Sequence, residues 1–300
     1  MTVKVGMRHL VMLDLLVKTG SVSETARSLG LTQSAVSHRM REAEKRLNAR
    51  LFLRIGRKIG FTSAAERLLL VARDVLGELE RVQQDLEKLS GGYEDVVRLG
   101  GGCYTPYDWL PMVQQAVSNG PGRLALELPS RLPEDPVAEV KTALLDIAIL
   151  PGRPDDPEVI QHHLASDDLV AVLPPGHALV GKTQLEPADF AGLPYVTHHT
   201  RPERGREYEI IFTRHGLLPK LVVGAGMTEA VLQVVRAGLG VTIQPRRTVA
   251  PFVEGWGLTL RPLAVAEARV DWVAVTRPRD AVRPGVSAVL EYIRAAFQAG

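Results

Sequence analysis

Three hundred residues, 45% of them hydrophobic and 23% charged, suffice for two or three compact units and exclude a disordered or fibrous chain. The net charge is only +2, but residues 1–67 carry 13 Lys+Arg against 5 Asp+Glu and the remainder 23 against 29. A basic head on an acidic body points to a polyanion as the partner of the head alone. The single cysteine, Cys103, excludes an internal disulfide and fits a reducing compartment. The start MTVKVGMRHL lacks a signal-peptide core, and no apolar run is long enough to span a bilayer, so the expected location is cytoplasmic with no membrane partner.

A first helix is predicted over 7–18, with Leu10, Leu13 and Val17 at helical spacing and Gly20 beyond its end. The next stretch, TARSLGLTQSAVSHRMREAEKRLNARLF, reads as two helices joined by a tight turn. Ser21 and Glu24 have capping-box spacing, Gly30 can take the positive φ of a helix end, and Thr32 is a good N-cap. Val36, Met40, Ala43 and Leu47 form one apolar stripe, while Ser34, Ser37, His38, Arg41 and Lys45 project the other way. Hydroxyl, imidazole and cationic groups opposite a buried stripe suit the major groove. The plainer alternative is an amphipathic surface helix. In FLRIGRKIGFT two β-prone pieces flank Gly56, Arg57 and Lys58, the pattern of a hairpin wing. Arg54, Arg57 and Lys58 would there meet phosphates or the minor groove, or form a solvated basic turn.

A long helix is predicted over 63–89, with Ser63 and Glu66 again at capping-box spacing. Leu68, Ala72, Val75, Leu79, Val82, Leu86 and Leu89 alternate by four and three residues, the seam of a coiled coil. So narrow a seam on a helix roughly 40 Å long predicts pairing with a second copy. The two recognition helices would then read a partly palindromic site. Ser90, Gly91 and Gly92 mark a linker.

From Val96 the pattern becomes strands alternating with helices. Strands are predicted at 96–101, 124–129, 145–150, 169–174, 221–226, 240–245 and 271–276, and helices near 109–117, 137–144, 204–215, 228–237 and 286–299. Such alternation predicts a mostly parallel α/β sheet, and some two hundred residues of it predict two subdomains with a ligand crevice outside the strand ends.

With these residues in hand, the whole chain resembles the LysR-type transcriptional regulators. The most specific part is GSVSETARSLGLTQSAVSHRMREAEKRLNARLFLR…FTSAAERLL, similar to that family's winged helix-turn-helix signature. The resemblance implies an α plus α/β fold: a winged helix-turn-helix over 1–62, a dimerisation helix over 63–90, and a two-lobed effector domain over 91–300 built like a periplasmic ligand-binding protein. Lobe I would comprise 91–165 and 269–300, and lobe II 166–268. It implies a tetrameric, sequence-specific DNA-binding regulator, acting on double-stranded operator DNA under a small co-inducer, and leaves RNA polymerase open as a further partner. SAVSH and GGCYTPYDWL look most like the branch regulating methionine biosynthesis, whose co-effector is homocysteine. Ala43 departs from the leucine usual before the glutamate, which implies looser packing of the recognition helix.

Carried over by position, Gln33, Ser34, Ser37 and His38 look like base- and phosphate-contacting residues, and Arg50 and Arg54 like backbone anchors. Many relatives have arginine where His38 stands, and a mostly neutral imidazole attracts phosphate less. The resemblance places the effector near Gly102, Cys103, Tyr104 and Thr105; Ser130 and Arg131; Thr197, His198, His199 and Thr200; and Met227 with Thr228. Thr228 is also a plausible N-cap whose helix start would bind a carboxylate, with Arg131 as a second contact, so a small carboxylate or amino-acid effector is expected. A cap without ligand and a solvated loop cation are the plainer readings of these two.

The pairs His162–His163 and His198–His199 invite a metal reading, but neighbouring residues on a strand point to opposite faces and none has i,i+4 spacing. No metal or cofactor is expected, and Cys103 has no resolving partner for a redox role. Catalysis is not expected either. There is no G-x-S-x-G elbow, phosphate loop or H-E-x-x-H, and Gly100–Gly102 lacks G-x-G-x-x-G spacing. A nucleoid-type DNA-bending protein without ligand control is the alternative function, and it would not need an acidic body of this length.

Overall fold

The computed structural model describes residues 3–55, 58–102, 105–129, 133, 135–198 and 206–299, with backbone alone at 54, 55, 58, 221–223 and 254. Two compact units result, Met1–Gly91 and Gly92–Gly300.

The first unit contains α1 (Met7–Thr19), α2 (Val22–Ser28), α3 (Gln33–Leu47), the antiparallel hairpin β1 (Phe52–Ile55) and β2 (Lys58–Phe61), and α4 (Ser63–Ser90). Met12 and Leu16 of α1 pack on Ala26 and Val36, and Leu13 packs on Ala43, Leu51 and Ala65. Ala43 is fully buried despite its size. Ser21 accepts the Glu24 N–H at 3.4 Å and Thr32 the Ala35 N–H at 3.2 Å, so both N-caps form. The capping box at Ser21 is only half made, its N–H donating to the Thr19 hydroxyl at 3.3 Å instead of to Glu24. Gly30 has φ +63°, which lets the Leu31 N–H turn back to the Ala26 carbonyl at 2.8 Å.

One cap lies a residue earlier than expected. Thr62, not Ser63, accepts the Ala65 N–H at 3.3 Å, and its hydroxyl also donates to the Arg50 carbonyl at 2.7 Å. That tertiary bond to the segment leading into the wing selects Thr62 over its neighbour. Asp14, nearly buried in α1, is paired with Lys18 at 2.6 Å and with Arg73 of α4 at 3.4 Å. Along α4 the heptad seam divides. Leu68 packs against the core and Ala72 is fully buried, which withdraws both from the predicted pairing surface, while Val75, Leu79, Val82, Leu86 and Leu89 stay exposed.

The second unit runs β3 (Asp95–Gly101), α5 (Leu110–Asn119), β4 (Leu124–Glu127), α6 (Pro136–Lys141), β5 (Ile147–Pro151), β6 (Ile160–Leu173), β7 (Pro194–Thr197), β8 (Lys220–Gly224), α7 (Thr228–Arg236), β9 (Thr242–Pro245), α8 (Arg246–Trp256), β10 (Thr259–Pro262), β11 (Arg269–Thr276) and α9 (Pro284–Ala299). Where a helix was expected over 204–215, the described part is a π-turn at Tyr208–Phe212 followed by a 3₁₀ turn at Thr213–His215.

The mostly parallel sheet expected from the alternation is corrected to a mixed one. Its order is β10-β6-β11-β5-β3-β4, with β9 also on β6. Among the described residues, only the pairs β3/β4 and β3/β5 within it are parallel. The cause is β6, at 14 residues the longest strand: Ile160–Asp168 pairs antiparallel with β11, and the stretch from Leu169 pairs antiparallel with β9 and β10. It passes from one lobe to the other, and β11 returns beside it.

Each lobe has its own core, set by period-two alternation. In lobe I, Ile147, Ile149, Trp272 and Ala274 face α5 and α9, while Ala148, Val273 and Val275 face Val140 of α6. In lobe II, Leu169, Ala171 and Leu173 face Tyr195 and Phe212, while Val170 and Val172 face α7 and α8.

Candidate functional site

Thr32 starts α3 with its polar face outward: Gln33, Ser34, His38 and Arg41 are exposed and Ser37 is half-buried. The Arg41 guanidinium donates to the Ser37 carbonyl at 3.3 Å, holding it along the helix. Beside this face runs a groove of about 770 Å³, lined by Ser21 and Ser23 at the start of α2, Gln33, Ser37 and Arg41 of α3, and Phe52, Leu53 and Ile59 of the wing. Arg50 is exposed at the entry to the wing. Arg57 and the side chains of Arg54 and Lys58 lie outside the described residues.

Two carboxylates that the sequence did not single out position this face. Glu44 accepts the Leu51 N–H at 2.9 Å and the Phe52 N–H at 3.1 Å through one oxygen, tying the wing's first strand to α3. Glu42 meets Arg8 at 2.8 Å, His9 at 3.3 Å and Arg46 at 2.6 Å. Burial works against Glu42 ionising, but the His9 hydrogen bond and the Arg46 and Arg8 charges overcome it and hold the carboxyl below its ordinary range. Spacing alone marks only Glu42 and Arg46 as partners, at i,i+4.

In the second unit a cleft of about 490 Å³ opens at the carboxyl end of β3. One wall is Gly102, Thr105, Pro106, Tyr107 and Asp108; the other is Met227, Thr228 and Glu229 at the start of α7, with Thr248, Pro251 and Phe252 of α8. The glycine run that ends β3 serves packing: a Cβ on Gly101 would lie 2.6 Å from the Thr105 hydroxyl. Thr105 donates that hydroxyl to the Ile149 carbonyl at 2.9 Å, leaving its oxygen as an acceptor. Burial pushes the Tyr107 phenol up, partly offset by a hydrogen bond with the Gly101 backbone.

Of the residues expected at this cleft, Gly102, Thr105, Met227 and Thr228 line it. Thr228 is not the N-cap: Met227 holds that position without a side-chain bond, and Thr228 is the first helical residue. Its hydroxyl instead meets His198 Nε2 at 3.1 Å, while Gln244 Nε2 lies 3.2 Å from His198 Nδ1 and donates to Thr242 at 3.1 Å. His198 is therefore behind the wall, and buried Thr197 does not line the cleft. Cys103, Tyr104, Ser130, Arg131, His199 and Thr200 lie outside the described residues. His162 and His163 diverge, to Thr276 at 3.0 Å and to Asp271 at 3.3 Å.

Residues 90–298 match the LysR substrate binding domain, and residues 7–68 match the bacterial regulatory helix-turn-helix protein, lysR family. The chain is a LysR-family transcriptional regulator. Among curated relatives, the regulator is 29% identical to the HTH-type transcriptional regulator MetR of Haemophilus influenzae over 82% of this chain and 80% of that one. It is 25% identical to the HTH-type transcriptional regulator CbbR of Rhodospirillum rubrum over 97% and 96%. Its fold matches full-length CbnR complexed with its target DNA at TM-score 0.73 and 18% identity, covering 97% of this chain and 100% of that one. It also matches the regulatory domain of MetR from N. meningitidis at TM-score 0.59 and 21% identity, covering 68% and 95%. The regulator thus joins a DNA-binding winged helix-turn-helix to a two-lobed effector-binding domain. Among the described residues no helix is long and apolar enough to cross a membrane.

Proposed function

We propose that the regulator grips a partly palindromic operator in the cytoplasm as dimers paired along α4 and assembled into a tetramer, and that an amino acid in the cleft sets how it holds that DNA. It carries out no turnover. In this reading Gln33, Ser34, Ser37 and His38 face base edges and phosphates, while Arg41, Arg50, Arg54, Arg57 and Lys58 meet the backbone. The exposed polar face of α3 beside the wing groove is the observation that carries it. Val75, Leu79, Val82, Leu86 and Leu89 supply the pairing surface, since five large apolar side chains at heptad spacing stay exposed in one chain. In the full-length chain, Gln33→Ala with Ser37→Ala abolishes operator shift while sedimentation still reports the dimer; unchanged footprints would refute the assignment.

The cleft favours an amino acid over a plain carboxylate. The start of α7 brings the positive end of its dipole to the cleft wall, which favours a carboxylate. Asp108 and Glu229 offer negative charge to an ammonium group, and Met227, Pro251 and Phe252 offer an apolar wall to a side chain. Calorimetry with a panel of L-amino acids, homocysteine included, and their deaminated acids tests this. One amino acid binds, its deaminated acid does not, and Glu229→Gln weakens it. No heat from any member of either set, with the chain folded, sinks the reading.

A further inference from the structure

Arg247, in the first turn of α8, belongs to lobe II, yet its side chain is almost wholly occupied by lobe I. Nη2 pairs with the Asp108 carboxylate at 3.0 Å and Nε with the other oxygen at 3.4 Å. Nη1 donates to the Phe297 carbonyl at 3.1 Å and Nη2 to the Ala296 carbonyl at 3.4 Å. Both carbonyls lie in the last turn of α9, at its negative end. The guanidinium also lies 4.4 Å from the centre of the Phe297 ring. Its backbone is held as firmly. The Arg247 N–H donates at 3.0 Å to Asp167, which also accepts the Trp272 indole N–H at 3.2 Å. Asp167 stands on β6 two residues before that strand exchanges β11 for β9 as its partner.

We infer that Arg247 is an interlobe latch and the positioning residue for Asp108, so that the charge on the cleft wall and the arrangement of the two lobes are set by one guanidinium. The geometry supports this over a plain helix cap. A cap needs only the two carbonyls, whereas Arg247 adds a two-point grip on a carboxylate that lines the cleft and is part exposed to it. An ammonium group arriving at Asp108 shares that carboxylate and weakens the grip, and the lobes then settle by the differential affinity of the ligand for each arrangement. The last step rests on the amino-acid reading above; the latch itself does not.

The test uses the full-length regulator on its own promoter DNA with no small molecule added. Arg247→Gln and Asp108→Asn each shift the footprint boundaries and change operator affinity by about tenfold. The double variant does no more than either single change, since coupled partners are not additive. Arg247→Lys, which keeps a charge for Asp108, restores most of the wild-type footprint. Asp108→Asn decides if Arg247→Gln fails to fold, because it leaves the α9 carbonyl bonds in place. A wild-type footprint from Asp108→Asn, with hydrogen exchange altered only at the end of α9 in Arg247→Gln, reduces Arg247 to a cap and overturns the latch. Failure of every amino acid to bind would instead refute the effector class and leave this result standing.

Discussion

In the first unit, the side chains proposed to face base edges lie between Gln33 and His38 on one helix, spaced by its 3.6-residue turn. In the second, the cleft is assembled from the loop after β3, the start of α7 and the body of α8, and the ion pair of its lining residue Asp108 joins residues 139 positions apart. One site is a local pattern that a helix displays; the other exists only once two lobes have folded. The head should therefore tolerate changes in its display residues without loss of fold, while the body's cleft and its stability should fail together.

The largest expected effect tests that claim in the body. Trp272 is fully buried in the lobe I core and bonded to Asp167. Trp272→Ala should cost about 3–5 kcal/mol in denaturant unfolding and abolish effector binding with it. If the cleft still binds at full strength, fold and site are separable there. Glu44→Ala comes next, at about 1–3 kcal/mol, because it strands the Leu51 and Phe52 amides. Glu44→Gln should recover most of it, since one oxygen takes both bonds. Of the caps, Thr62→Ala should cost about 1 kcal/mol and Ser63→Ala close to nothing. The reverse order would restore the cap position expected from sequence.

That contrast also explains what sequence could show. Val36, Met40, Ala43 and Leu47 mark the α3 stripe within four turns, and the stripe appears as read. Thr62 displaced Ser63 only through its bond to Arg50, which no local rule contains. In the body, β6 was legible from Leu169 but not over Ile160–Asp168, where QHHLASDD alternates between exposed and covered positions on the strand that joins the lobes. α8 was missed because Pro251 and Gly255 interrupt RRTVAPFVEGW, yet Val249 is fully buried and Phe252 packs beside it. Asp108 lay inside a stretch already singled out, and Arg247 directly beyond a predicted strand end, where ligands of α/β folds gather. Their pairing had no signal in either segment.

The smallest expected effect, a pH dependence of opposite sign in the two units, sharpens the comparison furthest. In the head, Glu42 is held below its ordinary range. Its folded value is depressed, so the unfolded chain binds the proton more tightly. Its contribution is present above the unfolded value and lost as pH falls through the folded one. In the body, burial raises Asp167, and the Asp168 charge adds to it. Hydrogen bonds from Trp272, Arg247 and Asp168 only partly offset that rise. Here the folded state binds the proton more tightly, so stability falls as pH climbs from the unfolded toward the folded value. Glu42→Gln should therefore lose stability at neutral pH and little in acid, while Asp167→Asn should gain at neutral pH and change little in acid. An asparagine oxygen can still accept from both Trp272 and Arg247, which in the wild type share one carboxylate oxygen. Unfolding of both variants against wild type from about pH 3 to about pH 7, spanning ordinary carboxylate values, decides it. Two slopes of the same sign would mean that Asp167 is as well paired as Glu42, and that the strand joining the lobes stores no unfavourable charge there.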